Sequence, residues 1–205
     1  MTRSYRSEIR EAQSAETRER LVAHAADLLK EDGIEALTLP KLAARATVSV
    51  PTVYRYFATL EDLLRALLDW LRPQIGMTPE SILRADVASA PHENFPRFEA
   101  HAAVLEPLME SRAWYRVRVA SQTNRSERGA EVLRSHAPEL SQAELEAAAG
   151  AIFVLGSPQA WRWFRDTWGV DTARAADAAA WAMRTLVAAL PATKTIQPKP
   201  TRKAR

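Results

Sequence analysis

TLPKLAARATVSVPTVYRYFATLEDLL, residues 38–64, carries three helix starts in close succession. Thr38 can cap free backbone N–H groups, and Pro40 falls in the first turn, where no intrahelical donor is lost. Leu39, Leu42, Ala43 and Ala46 then form one apolar face. The short turn Thr47-Val48-Ser49 leads to Ser49 as the cap of the next helix, Val50 to Phe57. Two short helices joined by so tight a turn form a helix-turn-helix. A third start follows at Thr59-Leu60-Glu61-Asp62, where Thr59 and Asp62 have capping-box spacing.

The helix over 50–57 has an informative outer face. Val53 and Phe57, at i and i+4, must point inward. At about 100° per residue, Arg55 then points outward, with Pro51 and Thr52 close to it and Tyr54 and Tyr56 flanking the ridge. Hydroxyls suit phosphate oxygens and a guanidinium suits a base edge or a phosphate, although a solvated surface helix would show the same residues.

Upstream, Leu21, Val22, Ala25, Ala26, Leu28 and Leu29 predict a helix from Thr17 to Asp32, closed by Gly33. Downstream, a fourth helix runs to about Trp70, and Pro73 and Gly76 mark its end. A further helix is expected from Thr78-Pro79 to Pro91. Another begins near Phe95, with Phe98, Ala102 and Leu105 on its stripe and Pro107 limiting it. Asn124-Arg125-Ser126-Glu127 and Ser141-Gln142-Ala143-Glu144 read as capping boxes. A long helix from Ser141 to Trp168 is expected to kink at Ser157-Pro158, and a last one runs from Thr172 to before Pro191. That last helix has one stripe of Ala176, Ala180, Met183, Val187 and Leu190 and a second of Ala178, Trp181, Thr185 and Ala188, which suggests a partner helix across a two-fold axis.

Composition agrees with an all-α fold: six glycines in 205 residues, alanine and leucine in abundance and no convincing strand. The absence of cysteine excludes disulfides and thiolate metal sites and suits the cytoplasm. The N-terminal residues lack a signal-peptide core, and no run is long enough to span a bilayer. The charge, 28 basic against 25 acidic residues, is misleading. Lys194, Lys199, Arg202, Lys203 and Arg205 all lie in the tail, and without them the chain is slightly acidic. DNA binding must therefore be argued from local geometry.

The segment from Thr17 to Leu71 resembles the DNA-binding region of the TetR family of bacterial regulators, most specifically in LAARATVSVPTVYRYFATLEDLL. The resemblance implies that Pro51, Thr52, Tyr54, Arg55 and Tyr56 enter or border the major groove, with Thr38 and Lys41 on the phosphates; Ser49 and Thr59, the caps of the third and fourth helices, complete the candidate DNA-binding residues. Two departures stand out. Thr47 occupies a turn position where the family usually has glycine, and Leu60 occupies one where helix four usually begins with a phosphate-binding lysine.

The organisation expected is a flexible arm over 1–16, a helix-turn-helix domain over 17–71, a ligand-binding and dimerisation domain over 72–191, and a basic disordered tail over 192–205. The function expected is a ligand-responsive regulator, a repressor, that binds a palindromic double-stranded operator as a homodimer and is released by a small hydrophobic effector. Phe98, His101, Met109, Trp114, Arg118, Gln122, Phe153 and Trp161 are the candidate effector contacts, although such rings are more often core and an exposed polar face explains Arg118 and Gln122 equally well. The alternative is a helical small-molecule-binding protein or enzyme whose first helices serve packing. Against an enzyme, His24, His92, His101 and His136 are scattered, and no catalytic, metal or cofactor motif is present.

Overall fold

The computed structural model describes residues 2–78, 86–120 and 123–190, with side chains from residue 10 onward and from residue 126 in the last segment. All its regular elements are helical: α1 (Thr2–Asp32), α2 (Leu39–Arg45), α3 (Val50–Tyr56), α4 (Leu60–Gln74), α5 (Ala90–Ala100), α6 (Ala102–Glu110), α7 (Arg112–Ala120), α8 (Thr123–Arg134), α9 (Gln142–Leu155), α10 (Pro158–Trp168) and α11 (Thr172–Ala189). The all-α expectation holds. Gln122, the helix expected from Thr78-Pro79, and the basic tail over 192–205 lie on or run into residues outside those described.

The chain forms two compact units, one within Met1–Ile75 and Ala100–Ala120, the other within Gly76–Glu99 and Ser121–Arg205. In the first unit α1 packs on α2, α4 and α6, α2 packs on α3, and α4 packs on α7. Its interior is leucine-rich: Leu21, Leu29, Leu42, Leu63, Leu64, Leu67 and Leu71 are sealed from solvent, together with Val53 and Phe57. Gly33, at φ 76°, ends α1 in the left-handed conformation, and its N–H bonds the Leu29 carbonyl at 3.1 Å.

In the second unit α8 packs on α9, and α9 and α10 both pack on α11. Alanines 130, 137, 149, 175, 176, 179 and 180 are buried and permit close helix approach, while Phe95, Phe98 and Trp161 fill the larger volumes. Phe98 lies 5.8 Å from Phe95 and 6.2 Å, edge-on, from Trp161. Gly76 must be glycine: φ is 70°, and a β-carbon there would lie 2.2 Å from Asn94 Oδ1.

Four boundaries differ from expectation, each for a local reason. Helix α1 begins at Thr2 rather than Thr17, because residues 10–20 are almost all exposed and carry no apolar period to mark them. Helix α5 begins at Ala90, so Pro91 opens it in its first turn instead of closing a preceding helix. The helix expected through Phe98 and Leu105 is interrupted at His101, while Pro107 is accommodated inside α6. At 156–157 the expected kink is a complete break: Gly156 ends α9, and Ser157 caps α10 by accepting from the Ala160 N–H at 3.3 Å and donating to the Val154 carbonyl at 2.6 Å.

Candidate nucleic-acid interface

Three caps fix the helix ends of the first unit. Thr38 Oγ1 accepts from the Lys41 N–H at 3.3 Å, and Ser49 Oγ accepts from the Thr52 N–H at 3.3 Å while meeting Thr52 Oγ1 at 2.7 Å. Thr59 and Asp62 form the reciprocal box: the Thr59 N–H donates to Asp62 Oδ2 at 3.0 Å, and the Asp62 N–H donates to Thr59 Oγ1 at 3.1 Å. The acidic turn Glu61-Asp62 sits at the positive end of α4, as the helix dipole favours. Between α2 and α3, Thr47 takes φ 54°, the one positive φ outside glycine among the described residues. A β-branched residue is strained there, at the position where the resemblance leads one to expect glycine.

Val53 and Phe57 are buried, so the wheel drawn from the sequence describes α3 correctly. Pro51, Tyr54 and Arg55 are exposed, Tyr54 by 49%, and Thr52 is half-buried. Lys41 is exposed on α2. Tyr56 behaves differently from Tyr54. Its ring lies under the Arg55 guanidinium at 5.2 Å, Arg55 donates to its hydroxyl at 3.5 Å, and the nearby hydroxyls of Ser14 and Thr17 on α1 join Arg55 in holding its acidity below the ordinary tyrosine pKa.

The rest of α1 reinforces this support. Arg18 stacks over the Phe57 ring at 5.3 Å. At the other end of α1, Glu31 forms an ion pair with Arg45 of α2, one contact of which is 2.6 Å; Arg45 lowers the Glu31 pKa, and Glu31 raises that of Arg45. Ser14, Thr17 and Arg18 were not among the residues singled out from the sequence. Their spacing of three and four places them on one helical face, the signal that would have found them.

The candidate effector residues divide. Phe98, Phe153 and Trp161 belong to the second unit, where Trp161 donates its indole N–H to Thr172 Oγ1 at 3.3 Å and Phe153 crowds Gly129. His101, Met109, Trp114 and Arg118 belong to the first. There Trp114 is 3% exposed and its Nε1 has no hydrogen-bond partner. Burial depresses the Arg118 guanidinium pKa, and the positive charge of Arg72 on α4 depresses it further. A cavity of about 340 Å³ opens in the second unit, with Val87, Ala88 and Val187 in its wall and Asp86, His136 and Arg184 among its polar lining; none of the eight candidates lines it. Among the described residues there is no group of His, Asp and Glu able to hold a metal ion, and no helix long and apolar enough to cross a membrane.

A capped helix-turn-helix whose second helix presents arginine and tyrosine outward defines a DNA-binding regulator of the helix-turn-helix class. Residues 21–67 match the family model described as bacterial regulatory proteins, tetR family, and over that segment the chain is similar to the family. Solved structures extend the likeness of fold over most of the chain. NalD of Pseudomonas aeruginosa, the secondary repressor of the MexAB-OprM multidrug efflux pump, is 18% identical with a TM-score of 0.61, over 84% of this chain and 96% of NalD. BioQ of Mycobacterium smegmatis is 22% identical with a TM-score of 0.57, over 83% and 97%. A structure of BioQ with its double-stranded DNA operator is 20% identical with a TM-score of 0.55, over 86% and 98%. No curated protein sequence matches the chain.

Proposed function

We propose that the protein is a cytoplasmic, ligand-responsive repressor that binds a palindromic operator as a homodimer and is released by a small, largely hydrophobic effector. One observation carries the DNA half: the exposed ridge of Pro51, Tyr54 and Arg55 on α3, held from behind by Val53, Phe57 and α1. Arg55 reads a base edge, Tyr54 and Lys41 meet phosphate, and Tyr56 borders the groove while its ring and hydroxyl prop Arg55. Thr38, Ser49 and Thr59 act mainly through the helix ends they cap, and Thr52 completes the ridge. A two-fold dimer sets two such helices in successive major grooves, roughly 34 Å apart.

The dimer half draws support from α10 and α11, where Trp163, Trp168 and Trp181 are 62%, 69% and 66% exposed. Exposed indoles are enriched at association surfaces, where their large apolar area can be buried. Release requires an effector that binds the conformation not competent for DNA more tightly than the competent one, with α4, which packs on α1 and α7, as the lever. NalD and BioQ share the fold, and their repressor and operator descriptions fit this reading.

The test is selection of bound DNA from a random pool, followed by Arg55→Ala measured on selected and scrambled duplexes at one salt concentration. The variant should lose about 1 to 3 kcal/mol on the selected site and relax one position per half-site. Equal loss on both duplexes would make Arg55 a phosphate contact. No loss would remove α3 as the reading helix.

A further inference from the structure

The first turn of α4 carries two carboxylates, Glu61 and Asp62, and no basic residue, yet α4 opens only three residues after the reading helix α3 ends. A duplex seated on α3 therefore meets acidic groups beside the helix end that would otherwise favour its phosphates. The two carboxylates are neutralised differently. Asp62 is engaged locally: its Oδ2 accepts from the Thr59 N–H and hydroxyl at 3.0 and 2.8 Å, and its Oδ1 accepts from Arg65 at 3.3 Å. Glu61 has its partner on another helix, 55 residues along the chain. There Arg116 of α7 donates from Nε to Glu61 Oε1 at 2.9 Å, and its Nη2 lies 2.7 Å from the same oxygen. Helix α7 carries three arginines and no acid, so nothing on its own helix draws Arg116 away. The pair is open to solvent, with 63% of the Arg116 side chain and 45% of the Glu61 side chain exposed. Exposed pairs add little to stability, so holding the fold together is a poor account of it.

Resting on the DNA-reading assignment above, we propose that Arg116, which lies outside the helix-turn-helix, sets the affinity for DNA by neutralising Glu61 at the end of α4 nearest the duplex. The backbone of a duplex is a dense line of negative charge, so an uncompensated carboxylate beside it is repelled by several phosphates at once. With Arg116 in place the pair has no net charge, and the backbone N–H groups that open α4 act on phosphate unopposed. Arg116 is a positioning residue that acts through Glu61. Because it alters the field along the backbone and meets no base edge, its effect is the same for every DNA sequence.

The experiment compares the full-length parent with Arg116→Ala, Glu61→Gln and the double variant on selected and scrambled duplexes across a salt series. Arg116→Ala should weaken both duplexes equally, by about fivefold, and the loss should shrink as salt screens the bared carboxylate. Glu61→Gln alone should bind at least as tightly as the parent. Adding Glu61→Gln to Arg116→Ala should return the affinity to within about twofold of the parent, a coupling that neither lost packing nor a lost phosphate contact produces. Helicity by circular dichroism should be unchanged throughout. If Arg116→Ala lowers it, Arg116→Gln takes its place and must show the same loss and the same rescue. Arg116→Ala that binds both duplexes like the parent overturns the proposal. So does a double variant as weak as Arg116→Ala, which would make Arg116 a phosphate contact, and so does a loss confined to the selected duplex. Arg55→Ala separates this proposal from the reading beneath it. If Arg55→Ala loses the selected site while the Arg116 series stays flat, the proposal fails alone; if the parent selects no duplex, both fail.

Discussion

The first unit fills its interior with leucine, whereas the second uses alanine and three aromatic rings, and the surfaces differ accordingly. Where alanines bring helices close, there is little room for large side chains between them, and the tryptophans of α10 and α11 other than Trp161 stand outside. The exposed rings of the first unit, Tyr54 and Tyr115, carry hydroxyls and neighbour Arg55 and Arg116. A surface of phenols and guanidinium groups suits a polar, charged partner such as a phosphate backbone. A surface of indoles suits a second apolar surface. The units therefore differ in what they leave unsatisfied, and that difference matches the division of labour proposed.

The largest effect should come from the aromatic filling. Trp161→Ala removes a fully buried ring that Phe98 meets edge-on, and should cost about 3 to 5 kcal/mol in urea denaturation. If Leu67→Ala in the first unit costs more, the contrast between the two interiors is not an energetic one. Next, Trp181→Asp should leave the fold intact and weaken self-association by about 2 kcal/mol or more, roughly thirtyfold, in sedimentation equilibrium. Its neighbour Ala180 is fully buried within its own unit, so Ala180→Asp should unfold the protein rather than yield folded monomers. Monomers in the parent at micromolar concentration would remove the association surface altogether.

A smaller effect is expected in the turn of the first unit. Thr47→Gly relieves a left-handed strain of about 1 to 2 kcal/mol, offset in part by the added freedom of the unfolded chain, about 0.4 to 1 kcal/mol. Thermal unfolding should show a net stabilisation, and a loss would mean that the Thr47 side chain contributes a contact worth more than the strain. The smallest effect concerns Glu31, whose pKa is lowered by Arg45. Its folded pKa lies below its unfolded value, so its contribution is complete above the ordinary carboxylate pKa and fades as pH falls through the depressed one. Glu31→Gln should therefore flatten the acid side of the stability profile slightly and leave neutral pH nearly unchanged, because the pair is exposed.

The first unit was legible wherever its sequence is punctuated. Thr38, Ser49 and Thr59 are caps whose partners lie three residues away, and Gly33 ends α1 by a local conformational preference, so neighbouring residues suffice to read them. The outward direction of Arg55 followed from two apolar residues on a helix. What escaped depended on neighbours distant in the chain. The lowered pKa of the Tyr56 hydroxyl depends on Ser14 and Thr17 as well as Arg55, and the start of α1 at Thr2 has no apolar stripe to announce it. Pro91 illustrates an ambiguity of another kind, since proline both follows one helix and opens the next. The effector residues were the least legible. A buried ring with its donor satisfied, like Trp161, and one without, like Trp114, read identically in a sequence.

The support that α1 lends to α3 bears on how the protein could change over generations. Exposed residues away from packing contacts usually alter stability by no more than about 0.5 kcal/mol when replaced. Pro51, Tyr54 and Arg55 are exposed, while the work of holding α3 falls to Val53, Phe57, Tyr56 and the α1 residues behind them. Fold maintenance and sequence reading thus rest on largely separate side chains. A lineage could exchange one operator for another through a few surface substitutions while the folded protein stayed as abundant as before.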